Sequence, residues 1–402
     1  MRNVWTILAC PRCQGALASN GMVLAGSAWS TRVRFLGTST KLPKKLKYAG
    51  AVPTIKLIEE SGEAERIIRK GVVWRLPKIY LKLSKYRLTG LVVLTAMAGY
   101  GISPGVVSMD TLLWLSLGTG LCAGSANAIN QILEIPYDSM MGRTKNRVLV
   151  REQISIPHAL MFAAVSGLGG VTILASMVNP LTAALGGFNL LLYTAVYTPL
   201  KRYTIANTWI GSIVGAIPPM MGWTGSMGSL GAGAWLLGGL LFSWQLVHFH
   251  SLSWSLKGDY GRGGYQMAAS LNPTLCRKSM LRHSLALIPL CTVAPMLDVT
   301  TWWFALDSLP LNCWFAWKSW QFYNNSDNKS ARRVFQLSLF YLPALLCLMI
   351  INKKNLHTAY DEDANKDNQE EHQTGMIQMN SGGISSGVVQ VMVTDDHNTT
   401  NC

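Results

Sequence analysis

The residues T-L-L-W-L-S-L-G-T-G-L-C-A-G-S-A-N-A-I-N-Q-I-L-E-I-P-Y-D-S-M-M-G-R-T-K-N-R, Thr111 to Arg147, join an apolar run to a polar end. Thr111 to Leu133 carries no charged side chain and is long enough to cross a bilayer as a helix. Asn130, Glu134 and Asp138 then recur at every fourth position, which stacks them on one helical face, and Arg143, Lys145 and Arg147 follow directly. Oxygen-bearing side chains in such a row suit Mg²⁺, and cations beside them suit a phosphate. Polar groups at the end of a membrane helix are costly to place, so their presence there points to function.

The rest of the chain fits that setting. Of its 402 residues 49% are hydrophobic and 14% charged, too apolar for an ordinary soluble protein of this length. The net charge of +15 raises nucleic acid as a partner, but the Lys and Arg fall in gaps between apolar runs and form no patch. The bilayer is therefore the expected partner, and nucleic acid is not. The 8 Cys are scattered, with no disulfide framework, and Cys10 and Cys13 form a lone C-x-x-C without a second pair.

Counting outward gives nine candidate spans between residues 88 and 352. They cover 88–109 and 111–133, two helices in 153–200 split at Asn179-Pro180, two in 203–256 split at the Gly-rich 225–233, then 283–297, 301–323 and 334–352. The loops test the count. Gaps after the even-numbered spans carry Arg143, Lys145, Arg147 and Arg151, then Lys201 and Arg202, then Lys257, Arg262, Arg277, Lys278 and Arg282, then Lys329, Arg332 and Arg333. Gaps after the odd-numbered spans up to the seventh carry no Lys or Arg. This alternation is the positive-inside pattern of an all-α membrane bundle with its N-terminus inside; Lys353 and Lys354 are the exception.

The flanks read differently. Residues 1–45 hold Arg2, Arg12, Arg32, Arg34, Lys41, Lys44 and Lys45, and the first acid of the chain is Glu59, the composition of a mitochondrial transit peptide. A secretory signal would need a continuous apolar core, which Cys10, Arg12 and Gln14 interrupt. Residues 46–87 read as a basic matrix-side segment and 353–402 as an acidic, polar, disordered tail. For an imported protein the cationic face of the bundle is the matrix face of the inner membrane.

A second constellation, H-F-H-S-L-S-W-S-L-K-G-D-Y-G-R-G-G-Y from His248 to Tyr265, ends the sixth span on that same face. Asp259, between Lys257 and Arg262, is placed to complete with Asp138 a cradle for Mg²⁺ and a diphosphate. Interfacial carboxylates paired with neighbouring cations are the plainer alternative.

The segment N-Q-I-L-E-I-P-Y-D-S-M-M-G-R-T-K-N-R resembles the first signature of the UbiA-type intramembrane prenyltransferases, in particular the protoheme IX farnesyltransferase (haem O synthase) branch. Thr144 to Arg147 is its most specific part, and the likeness continues through Y-T-P-L-K-R at Tyr197–Arg202, G-A-I-P-P-M-M-G-W at Gly215–Trp223 and the His248–Tyr265 segment. The resemblance implies nine helices around a central cavity, with a catalytic and metal set of Asn130, Glu134, Asp138 and Asp259. It implies diphosphate contacts from Arg143, Lys145, Arg147 and Lys201, and the residues beside Asp259 add Lys257 and Arg262. The implied reaction joins farnesyl diphosphate to heme b with Mg²⁺ as cofactor, giving heme O for heme A and cytochrome c oxidase biogenesis. Candidate partners are a downstream heme-modifying enzyme and a second copy of the chain. Ser255 and Gly263 stand where wider relatives carry further Asp, which favours the heme branch over quinone-forming ones.

His248, with His158 and His250, is the expected heme contact, and a His hydrogen-bonded between helices is the alternative for each. Two other functions stay open: polyprenyl transfer to an aromatic quinone precursor, and non-catalytic handling of heme or ions.

Overall fold

A computed structural model of the protein describes residues 76–354, and the architecture there is helical. After a helical stretch at 76–83, the long helices are α1 (Tyr86–Ile102), α2 (Met109–Asp138), α3 (Ile156–Met177), α4 (Pro180–Leu200), α5 (Asn207–Met227), α6 (Ala232–Ser255), α7 (Pro273–Met296), α8 (Trp302–Asn325) and α9 (Asn328–Ile351). The α4 bounds take in a π-helical turn, Leu192–Tyr197. Among the described residues five helices (α2, α3, α4, α6 and α9) are long and apolar enough to cross a membrane by length and composition. The expected leader, most of the 46–87 segment and the tail from 355 onward lie outside the described residues.

Several boundaries differ from the sequence reading. The first span stops at Ile102 rather than 109, because Pro104 has no N–H to extend a helix and Ser108 caps α2 by accepting from the Thr111 N–H. α7 begins ten residues before the expected His283, at Pro273 behind an Asn272 cap, so Arg277, Lys278 and Arg282 belong to a helix rather than a loop. Likewise α9 starts at Asn328 under an Asp327 cap and carries Lys329, Arg332 and Arg333 in its opening turns. Helix ends in this chain are set by caps, not by where charge stops.

The largest buried cluster lies among α5 to α9, around Trp223, Leu237, Phe304, Phe315 and Tyr341. Outer faces instead expose Leu91, Leu94, Val165, Leu168, Trp302 and Trp303. α1 and α5 cross with their backbones touching: a Cβ at Gly222 would sit 2.0 Å from the Ala96 carbonyl oxygen, and one at Gly99 2.1 Å from that of Pro219. Gly222→Ala is accordingly expected to destabilise the bundle by at least the ~1–3 kcal/mol of an overpacked core, since backbone must move. Thermal unfolding in detergent reads this, and an unchanged midpoint would contradict the close crossing.

α1, α3, α5, α7 and α9 begin at the end where α2, α4, α6 and α8 finish, so the cationic turns gather there. Lys353 and Lys354, the exception in the charge pattern, are engaged at the other end. Lys353 donates to the carbonyls of Gly101 and Ser103 at 3.2 Å each, and Lys354 pairs with Asp298 at 3.1 Å.

Candidate active site

The last turns of α2 bring Asn130, Glu134 and Asp138 to one face, as their spacing requires, and all three are buried. Burial is tolerated because each finds a partner. Glu134 meets two cations: Lys201, from the end of α4, donates to Oε1 at 2.6 Å, and Arg147 donates to Oε2 at 3.3 Å. Arg147 also donates to Asp138 Oδ2. Asn130 accepts from Lys85 at 2.5 Å and donates to Thr198 Oγ1 at 3.2 Å.

Local sequence explains why these segments converge. Pro136 leaves the Ile132 carbonyl without its helical donor, and after Asp138 the chain breaks into successive turns. Thr144 Oγ1 donates to the Asp138 carbonyl at 3.0 Å, which folds T-K-N-R back against the helix and delivers Arg147. At the end of α4, Pro199 lacks an N–H, and both the backbone N–H and Oγ1 of Thr198, the latter at 2.8 Å, donate to the Tyr193 carbonyl within the π-helical turn. Burial lowers the Lys85 ammonium to about 7; the Arg147 and Lys201 charges push the same way, while Glu134 and Asp138 oppose them. An anion arriving beside Lys85 favours its charged form.

These groups close the polar end of a cavity of ≈ 360 Å³ whose walls include Val92, Cys122, Ala126, Met221, Phe249 and Leu252. Tyr193, Tyr197, Tyr260 and Tyr265 also line it. Lys201 Nζ lies 4.4 Å from the centre of the Tyr197 ring, and the Tyr193 and Tyr197 rings are 5.3 Å apart.

Of the residues expected from the sequence, the cavity gathers Asn130, Glu134, Arg143, Arg147 and Lys201. Asp138 sits behind them on Arg147, fully buried. Asp259 is placed differently from expectation. Its carboxylate accepts from the backbone N–H groups of Gly142 at 3.0 Å and Arg143 at 3.4 Å, and it pairs with Arg262 at 2.5 Å. It fastens the loop after α2 and does not line the cavity. Lys257 lies against the Trp254 ring, 3.1 Å from its centre, and Lys145 is exposed outside the cavity.

None of the three histidines lines the cavity either. His248 shares a hydrogen bond of 2.8 Å with Ser338 Oγ and stacks on Trp244, His250 bonds the Leu246 carbonyl at 2.6 Å, and His158 meets Tyr80 Oη at 2.6 Å. The face of α6 that does reach the cavity carries Gln245, Phe249 and Leu252. Sequence reasoning missed Lys85 and Gln245. The available signal for Lys85 was its place among the cations Lys82, Lys85 and Arg87 just before the first span, at the end where Asp138 lies.

Although burial works against the Asp259 carboxylate, the Gly142 N–H, Arg262 and the Arg143 N–H together hold it below the usual carboxylate range. Its anchoring of the loop is therefore complete above the ordinary carboxylate pKa and is lost only as pH falls through that depressed value. Asp259→Asn should free the loop at neutral pH, giving faster cleavage by trypsin among Arg143, Lys145 and Arg147. Unchanged cleavage would mean the loop is held by other contacts.

The profile of the UbiA prenyltransferase family matches residues 92–342. The chain belongs to the UbiA prenyltransferase family. Within this family it is 54% identical over 282 residues to the protoheme IX farnesyltransferase of human mitochondria, covering 70% of this chain and 64% of that one. The aligned region thus spans just under two thirds of that relative's length. The yeast protoheme IX farnesyltransferase is 39% identical over 339 residues, covering 79% and 73%. Among solved structures the UbiA fold is shared with a digeranylgeranylglyceryl phosphate synthase, at TM-score 0.60 and 14% identity over 68% of this chain and 97% of the other.

The oxygen set at the end of α2 fits a hard cation. Asp138 Oδ1 is buried without a hydrogen-bond partner, and Asn130 and Glu134 stand on the same face. Among the described residues no group of three His, Cys, Asp or Glu side chains forms a complete metal site.

Proposed function

We propose that the protein transfers a farnesyl group from farnesyl diphosphate to a vinyl group of heme b, forming heme O. The observation that carries prenyl transfer is the cavity itself: apolar walls ending at one cluster of oxygen donors and cations, Asn130 and Glu134 with Lys85, Arg147 and Lys201. The choice of heme b rests on the 54% identity to the human protoheme IX farnesyltransferase. The nine long helices among the described residues are taken as nine spans of the mitochondrial inner membrane, with the N-terminus and the polar end of the cavity toward the matrix.

In this mechanism the allylic C–O bond breaks and its electron pair leaves with the diphosphate. Arg147 and Lys201 are already positioned by Glu134, so the positive potential that receives this charge is assembled before substrate arrives. Arg143 and Lys85 add donors at the same end of the cavity. Glu134 and Asp138, with Asn130, would hold Mg²⁺, which supplies further neutralisation of the leaving group. The farnesyl cation faces Tyr193 and Tyr197, whose ring faces attract positive charge, and walls such as Phe249 and Leu252 exclude stray water. The terminal vinyl carbon of the heme forms the new C–C bond. Water then adds at the carbon next to the macrocycle and loses a proton, leaving a hydroxyethylfarnesyl group. Positioning and charge stabilisation carry the rate, and no covalent enzyme intermediate is needed.

Acceptor choice tests this reading against quinone-precursor prenylation. Protein in proteoliposomes with Mg²⁺ and farnesyl diphosphate should consume heme b and leave 4-hydroxybenzoate untouched. Prenylation of the benzoate alone would reverse the assignment.

A further inference from the structure

Beside the cavity lies a second recess of ≈ 380 Å³, lined by Lys82, Lys85, Arg87, Arg143 and Arg147 together with Tyr86, Leu88, Gln131, Asn146 and Val148. It borders the cavity directly, because Lys85, Leu88, Arg143 and Arg147 line both. Among the described residues no Asp or Glu lines it. Two of its cations are engaged toward the cavity: Arg147 by Glu134 and Asp138, and Lys85 by Asn130. The others, Lys82, Arg87 and Arg143, have no carboxylate partner within ion-pair distance among the described residues. Lys82 and Arg87 do not reach the cavity, so the transfer mechanism leaves them unused.

Like charges gathered without counter-charge repel one another, and an anionic ligand relieves that repulsion. The recess also has an apolar side, since Tyr86 and Leu88 are each 47% exposed there. A ligand that suits it carries more than one carboxylate on an apolar body. Heme b has that character, being a flat apolar macrocycle with two propionates along one edge and vinyl groups on the opposite rings. Within the heme reading, the macrocycle can enter an apolar environment but its carboxylates cannot do so unpaired. They need cations at the interface, beside the opening through which the vinyl group reaches the farnesyl cation.

We propose that the recess lined by Lys82, Arg87 and Arg143 holds the propionate carboxylates of the porphyrin acceptor, leaving its vinyl edge to face the cavity. The inference rests on the assignment of heme b as acceptor and deepens it. Arg87 is the natural bidentate partner for one carboxylate, with Lys82 as a point charge for the other. Anionic lipid headgroups share this chemistry and are the competing occupant.

The test uses the full chain and a Lys82→Gln/Arg87→Gln variant, both positions being exposed and outside the transfer machinery. KM is measured for heme b, for its dimethyl ester and for farnesyl diphosphate, in phosphatidylcholine vesicles with and without phosphatidylglycerol. Heme binding without farnesyl diphosphate is followed on the same samples through the Soret band. The expected result is a KM and a Kd for heme b raised about tenfold in the variant, as for lost charge-assisted hydrogen bonds. Values for the dimethyl ester and for farnesyl diphosphate should not move. No rise for heme b, or an equal rise for heme b and its ester, overturns the proposal. Equal inhibition of both acceptors by phosphatidylglycerol in the wild type but not in the variant assigns the recess to lipid and also overturns it. If the wild type farnesylates neither acceptor, the transferase reading fails on its own, while the Soret titration still decides whether the recess discriminates the diacid.

Discussion

Glu134→Gln should lower kcat for farnesyl transfer by about 10²–10³-fold, the usual cost of removing one preorganised electrostatic contact at a developing charge. The substitution keeps size and shape and removes only charge, so the α2 helix and its packing persist. What changes is the position of two cations. Lys201 Nζ and Arg147 Nη1 are fixed on the two carboxylate oxygens of Glu134, 2.6 and 3.3 Å away. A neutral amide holds them weakly and also turns an N–H donor toward one of them. KM for farnesyl diphosphate should change much less than kcat, because the loss falls on charge that develops in the transition state. Equal kcat in the variant and the wild type would remove Glu134 from the site.

Lys201→Met is expected to act on stability as well as rate. Glu134 and Lys201 are nearly buried, with side chains 6% and 12% exposed, and taking one partner from a buried pair typically costs about 3–5 kcal/mol. Arg147 remains on Glu134, which places the expected loss at the lower end of that range. The Glu134→Gln/Lys201→Met double variant separates the two effects, since it removes both charges together. Its thermal midpoint in detergent should recover toward the wild type while transfer stays abolished. A double variant less stable than Lys201→Met alone would show that the pair is not coupled as the geometry implies.

The parts of this site that sequence could reveal are those fixed by helix periodicity. Asn130, Glu134 and Asp138 share a face because four residues make about one turn, and no tertiary information is needed to place them together. The loop charges likewise showed which helix ends gather the cations. Asp259 pairs with its sequence neighbour Arg262, but it also accepts from the amides of Gly142 and Arg143, far away in the chain, and local sequence gives no sign of those contacts. The surroundings of the histidines were hidden for a related reason. α6 is apolar nearly all round, so no periodic contrast tells which side of it faces the cavity. Only packing against α9 turns His248 toward Ser338 and leaves Gln245, Phe249 and Leu252 to the cavity. Lys85 lies in a mixed basic segment without periodicity, and its contact with Asn130 depends on α1 running alongside α2.

The central claim is that the cavity beneath Asn130 and Glu134 ionises farnesyl diphosphate and directs the cation to heme b. It is tested most directly by incubating the purified, folded protein with heme b, farnesyl diphosphate and Mg²⁺ and analysing porphyrins by mass spectrometry. The account predicts a product carrying the mass of heme b plus a farnesyl group and a hydroxyl group, with one diphosphate released for each. Unmodified heme b from a monodisperse, helical preparation, with diphosphate release no faster than in the absence of protein, would contradict it.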